Sequence, residues 1–139
     1  MRSTVVNLTT GSRPAVLDLT GECRRFVRSA TADGNRDGLL HVFVPHATAG
    51  VALLELGSGS DHDLLAALDE LLPADHRWRH AHGSPGHGRS HVLPALIPPY
   101  ATVPVIDGDL ALGIWQRVAL IDLNVDNSRR QVRLSFLAS

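Results

Sequence analysis

The sequence predicts an α+β fold, one domain over residues 1–139, with mostly antiparallel sheets and two main helices. Three observations predict it. Short β-branched and apolar runs recur along the chain, two segments carry helical spacing, and Asp107-Gly108 marks a tight hairpin between two runs. With 139 residues, 44% hydrophobic and 19% charged, the chain can bury one core without disorder.

The elements follow in order. Residues 3–9 read as a strand, Gly11-Ser12-Arg13-Pro14 as a turn, and Val16–Leu19 as a second short strand. Thr20 then suits a helix N-cap, with Glu22, Phe26, Val27 and Ala30 forming an amphipathic helix to about Thr31. The Asx/Gly-rich stretch Asp33–Gly38 is a surface loop. Leu39–Val44 reads as a buried strand closed by Pro45, and His46-Ala47-Thr48-Ala49-Gly50 turns it toward a paired strand, Val51–Leu56.

Ser60 and Asp63 have capping-box spacing, and Leu64, Leu68, Leu71 and Leu72 place one apolar face on a helix ended by Pro73. From Ala74 to Gly88 periodicity vanishes in a long polar loop, a length that usually carries function inside a compact domain. Strands are expected at His91–Leu96, Ala101–Ile106, Leu110–Gln116, Val118–Asp122 and Gln131–Leu137.

Charge excludes one class of partner. Thirteen basic and fourteen acidic residues give a net charge of -1, without the excess that binds a phosphate backbone, so no nucleic acid is expected. Arg129, Arg130 and Arg133 read as a solvated strand edge. No apolar run reaches the roughly 20 residues that span a bilayer, so no membrane partner is expected. The lone Cys23 falls on the apolar side of the first helix as a buried thiol, and a cytoplasmic location is expected.

Histidines carry the strongest chemical signal. Six of eight lie between His62 and His91, four of them at His80, His82, His87 and His91. Imidazole is the commonest metal ligand near neutral pH, and a Gly-rich loop can bend so that two rings converge. His46 follows a buried strand, where rigid backbone can aim a side chain. His80-Ala81-His82 has the His-x-His form of cupin metal sites but lacks the acid and glycine expected downstream.

The order of these elements resembles the YjbQ family, whose members are also named as secondary thiamine-phosphate synthase enzymes. The resemblance runs from about Thr4 to Phe136 and rests on several elements together. These are the His46–Gly50 turn, the helix to Leu72-Pro73, Trp78-Arg79-His80, His91, Val103-Pro104-Val105 with Asp107-Gly108, and Leu112-Gly113-Ile114-Trp115-Gln116.

The resemblance implies a homotrimer and a pocket whose family histidines match His46, His80 and His91; three neutral imidazoles there are expected to hold a divalent metal, zinc or magnesium, with one position left open. It further implies catalytic roles for Glu55 and Gln116, and binding of a small phosphorylated molecule by Thr48, Arg79 and Trp115. The implied activity joins a pyrimidine diphosphate to a thiazole phosphate and releases pyrophosphate. The alternative is a non-catalytic phosphate-ester or metal-binding trimeric module. The chain departs from the family pattern at Ala47, Leu54 and Leu56, and in the loop Gly86-His87-Gly88-Arg89-Ser90.

Overall fold

The computed structural model describes residues 1–139 as two antiparallel sheets and three helices. A five-stranded sheet has the order β1 (Arg2–Thr9), β8 (Arg129–Ala138), β3 (Gly38–Phe43), β5 (Tyr100–Ile106) and β6 (Asp109–Leu110). A three-stranded sheet has β7 (Arg117–Asp122) between β2 (Ala15–Asp18) and β4 (Ala49–Leu54). The helices are α1 (Thr20–Thr31), α2 (Ser60–Leu71) and α3 (Gly88–Leu96). The fold is therefore the α+β class expected, with antiparallel pairing throughout. No helix is long and apolar enough to cross a membrane.

Strand β7 organises the interior because both its faces are buried. Val118 and Leu120 join a core with α1 residues Cys23 and Val27 and the inner face of the five-stranded sheet, including Leu40, Val103 and Leu134. Ala119 and Ile121 point the other way, into a second core with Leu68 and Leu72 at the end of α2 and Leu93 of α3. The period-2 alternation of side chains makes one strand serve two cores.

Several expectations are corrected. The run His91–Leu96, expected as a strand, belongs to helix α3. A short apolar run fits either element by pattern alone, and here Leu93 is buried while Val92 and Leu96 stay exposed, the spacing of a helix face. A third, shorter helix thus joins the two main ones. The strand expected over Leu110–Gln116 shrinks to β6, because residues 111–116 turn back on themselves, with Gln116 N donating to Gly113 O. Asp107-Gly108 does form the β5–β6 hairpin, with φ of 49° and 76° at the two turn positions.

Neither expected helix cap forms. Leu19 occupies the N-cap of α1, and Thr20 Oγ1 instead accepts the N–H of Val118, tying the helix to β7. Gly59, at φ 99°, begins α2 in place of a Ser60 cap. Of the α2 leucines, Leu68 and Leu72 are buried and Leu71 is exposed. The strands on either side of the His46 turn do not pair; β3 lies in one sheet and β4 in the other. Finally, Arg130 is no edge residue. β8 sits between β1 and β3, and Arg130 is 2% exposed against Asp122.

Candidate functional site

The long loop between α2 and α3 is anchored at three places. Trp78 Nε1 donates to Pro73 O at 2.8 Å and packs its ring against the second core. The buried Arg89 binds Asp69 and the Leu72 carbonyl at the end of α2. Ser84 donates from N and from Oγ to Asp126 Oδ2 on the β7–β8 connection, at 3.1 and 3.0 Å. Glycines allow the close folding. A Cβ on Gly88 would lie 2.5 Å from Trp78 Cβ and 2.6 Å from the His80 carbonyl. A side chain there would push the His80 strand of the loop off α3.

This anchoring gathers four imidazoles. His80 and His82 come from the loop, His87 from the residue before α3, and His91 from its first turn. One nitrogen from each ring lies within 4.8 Å of the others. The His80 and His91 ring centroids are 4.0 Å apart, and His87 Nε2 stands 3.0 Å from His91 Nε2. A recess of about 240 Å³ opens beside them, lined in part by Trp78, His80, Ser84 and His87.

Partial desolvation of a ring that is exposed overall, followed by the neighbouring imidazoles His82 and His87, lowers the pKa of His80. Burial and then His80, His87 and His82 do the same for His91. Both effects favour neutral rings, the form that ligates metal.

Behind the cluster stands a carboxylate. His87 Nδ1 lies 2.7 Å from Asp126 Oδ2, at ion-pair distance, though the two are not aligned for a hydrogen bond. The hydrogen bond from the Ser84 backbone holds the Asp126 carboxyl below its usual range, with Ser84 Oγ and His87 adding to the effect. Sequence reasoning missed Asp126. Its only local signal is the turn in which its N–H meets Asn124 Oδ1, and nothing in that turn points to a histidine more than thirty residues earlier.

The other expected site residues are dispersed. His46 lies outside the four-ring group, in a wide recess of about 570 Å³ with Asn7, Thr9, Arg129 and Gln131. Its Nε2 accepts the Gln131 N–H at 2.8 Å, so that nitrogen is already engaged within the chain. Burial, then the Arg130 charge, lowers its pKa, against an opposing pull from Asp122. Thr48 is a buried structural residue, its Oγ1 accepting from Asn124 Nδ2 and Arg130 Nη2. Arg79 is exposed next to His80. Glu55 accepts from Ser58 Oγ, and Gln116 Oε1 accepts the Gly113 N–H. Trp115, neighbour to Gln116, is 66% exposed. None of Glu55, Trp115 and Gln116 lines the recess beside the imidazoles.

Two antiparallel sheets, three helices and a loop-borne histidine cluster define a small α+β protein. The family model described as UPF0047 protein YjbQ-like matches residues 4–139. A UPF0047 protein of Mycobacterium bovis is 55% identical over 126 residues, covering 91% of this chain and 94% of its own. One from Archaeoglobus fulgidus is 30% identical over 127 residues, covering 91% and 95%. Among solved structures, a hypothetical protein from Aeropyrum pernix K1 superposes with a TM-score of 0.87 at 30% identity, covering 100% of both chains. A YbjQ-like protein of unknown function from Sulfolobus solfataricus P2 has a TM-score of 0.89 at 22% identity, covering 99% of this chain and 97% of its own. The chain belongs to the YjbQ (UPF0047) family.

Proposed function

We propose that this protein binds a divalent metal at the imidazole cluster and uses it on a small phosphorylated molecule. The single observation behind this reading is the four imidazole nitrogens held within 4.8 Å of one another. Metal–nitrogen bonds of about 2.0–2.1 Å place two ligand nitrogens roughly 3.4 Å apart at a tetrahedral angle. That spacing falls between the 3.0 Å of the His87–His91 pair and the 4.8 Å bound of the group, so the donor set fits an ion.

When bound, the metal supplies a Lewis acid for a phosphoryl oxygen. His80 and His91 hold it, neutral at physiological pH. Arg79, exposed beside His80, pairs with phosphate oxygens in the two-pronged manner guanidinium allows. Glu55, Trp115 and Gln116 lie apart from the cluster within one chain, and their roles in this reading depend on assembly as a homotrimer. The exposed Ile114 and Trp115, 77% and 66% accessible, support such an assembly as apolar surface for a neighbouring copy. His46 belongs to the same assembly-dependent group. The finer activity is the thiamine-phosphate synthase reaction, in which a pyrimidine diphosphate condenses with a thiazole phosphate.

A second reading, a non-catalytic metal- or phosphate-ester-binding module, is favoured by the count of ligands. Four imidazoles on one tetrahedral ion leave no position for a substrate oxygen. The deciding experiment supplies both thiamine precursors to metal-loaded protein and measures pyrophosphate release. Release that disappears in His80→Ala and His91→Ala supports the enzyme. Stoichiometric metal with no release supports the module, and purified protein that takes up no divalent metal sinks the enzyme and the metal-binding form of the module.

A further inference from the structure

We infer that His82 and His87 are additional ligands that make this metal site nitrogen-only, and that Asp126 is the positioning residue that aims His87. The inference rests on the metal binding that both readings above share and specifies which ion the site selects; with all four rings on a tetrahedral ion, it belongs to the non-catalytic module. His87 falls in the loop where the chain departs from the family pattern, so the resemblance gives neither it nor His82 a role.

Geometry assigns the roles. His87 has a side chain only 8% exposed and has a close neighbour at each ring nitrogen. Its Nδ1 faces Asp126 Oδ2 at 2.7 Å, and its Nε2 faces His91 Nε2 at 3.0 Å. A carboxylate this close to Nδ1 favours the proton there by its charge and leaves the lone pair on Nε2, facing the cluster, although no aligned hydrogen bond joins the two. Asp126 is itself held, accepting from Ser84 N and Ser84 Oγ while its own N–H meets Asn124 Oδ1. A Cβ on Gly83 would lie 2.8 Å from Asp126 Oδ2 and 2.9 Å from His87 Cγ, so the loop glycine is what allows the carboxylate and ring to close together. His82 completes the group from the exposed side, its ring centroid 4.1 Å from that of His80 and 5.0 Å from that of His87.

Four imidazoles and no carboxylate facing the ion suit zinc, cobalt or nickel. Magnesium and calcium favour oxygen ligands, carboxylates above all, and no carboxylate belongs to the group. The site therefore discriminates against magnesium, and His87 with its carboxylate contributes much of the affinity.

The test uses full-length protein stripped with a chelator. Cobalt(II) is titrated and followed by its visible spectrum, and zinc affinity is read by competition with a chromophoric chelator. Wild type is expected to give the intense tetrahedral cobalt spectrum, undiminished by millimolar magnesium. His87→Ala and Asp126→Ala are each expected to weaken zinc binding by about 10–100-fold, with Asp126→Asn intermediate because its amide oxygen keeps a partial negative charge facing Nδ1. His82→Ala, at an exposed position, is expected to lose affinity without changing the melting temperature. It decides the matter if the His87 variant does not fold.

Wild type that takes up neither metal removes the metal reading as a whole. Wild type that binds, with loss in His80→Ala and His91→Ala but less than twofold change in His82→Ala, His87→Ala and Asp126→Ala, overturns this inference alone. So does displacement of cobalt by magnesium.

Discussion

Arg130 and Asp122 form a two-pronged ion pair inside the protein, Nε to Oδ2 at 2.6 Å and Nη2 to Oδ1 at 3.0 Å, with both side chains 1% exposed. The pair links β8 of the larger sheet to the end of β7 in the smaller one. Thr48 and Asn124 complete it. Thr48 Oγ1 accepts from Arg130 Nη2, and Asp122 Oδ1 also accepts the Asn124 N–H. Removing one charge strands the other in a low-dielectric interior. Arg130→Ala is expected to cost about 3–5 kcal/mol in urea unfolding. Thr48→Val, which leaves Asn124 Nδ2 without its acceptor and takes one of two from Arg130 Nη2, should cost about 1–3 kcal/mol. A loss below about 1 kcal/mol in Arg130→Ala would contradict a buried, structural role for the pair.

Gly88 controls how closely the His80 loop approaches α3. Its replacement by Ala puts a methyl group 2.5 Å from Trp78 Cβ and 2.6 Å from a backbone oxygen, neither of which is the free end of a side chain. Gly88→Ala should lower stability by about 1–3 kcal/mol and weaken zinc binding in the same protein. Calorimetric melting and the chelator competition check the two effects separately.

Acid is expected to destabilise the metal-free protein. His46, His80 and His91 all have pKa values lowered by folding from about 6.5, burial being the first cause in each. Below that pH the unfolded chain binds more protons than the folded one, so stability rises with pH across the window. Their contribution is intact above about 6.5 and is lost as pH falls through the lowered folded values. Urea midpoints of chelator-treated protein should therefore drop between pH 7 and pH 5. A midpoint that stays flat or rises toward acid would show the sign to be wrong.

Cys23 should be chemically silent in the native state. It has no exposed surface, and burial, followed by the charges of Glu22 and Asp18, pushes its thiol up to about 12. At pH 8 about one thiol in ten thousand is then thiolate. Native protein is expected to resist iodoacetamide at pH 8 and to react fully once unfolded, as counted by mass spectrometry. Prompt alkylation of the native chain would place the thiol at an accessible surface instead.

Much of the architecture was legible because it is written in local pattern. The alternation in Gln131–Leu137 and the turn at Asp107-Gly108 mark their elements unaided, and the leucine spacing from Leu64 to Leu72 marks α2. His91–Leu96 was misread because a six-residue apolar run has no period long enough to separate strand from helix. What decides it is Leu93 seated against Leu68 and Ile121 in the second core. The buried Arg130 escaped for a related reason. A basic triplet reads as solvent-facing unless the carboxylate that neutralises it is known, and Asp122 is eight residues away on another strand.

The candidate site divides the same way. Local sequence alone determined that the 80–91 segment is a glycine-rich, histidine-rich loop free to bend, and hence that some of its rings can meet. Only the tertiary structure decided which ones. Anchors at Pro73, Asp69 and Asp126 close the loop onto α3, joining His82 and His87 to His80 and His91, while β8 holds His46 elsewhere through Gln131. The reason is physical. Where a ring nitrogen points depends on hydrogen bonds and packing between segments remote in the chain, and residue spacing carries no record of them.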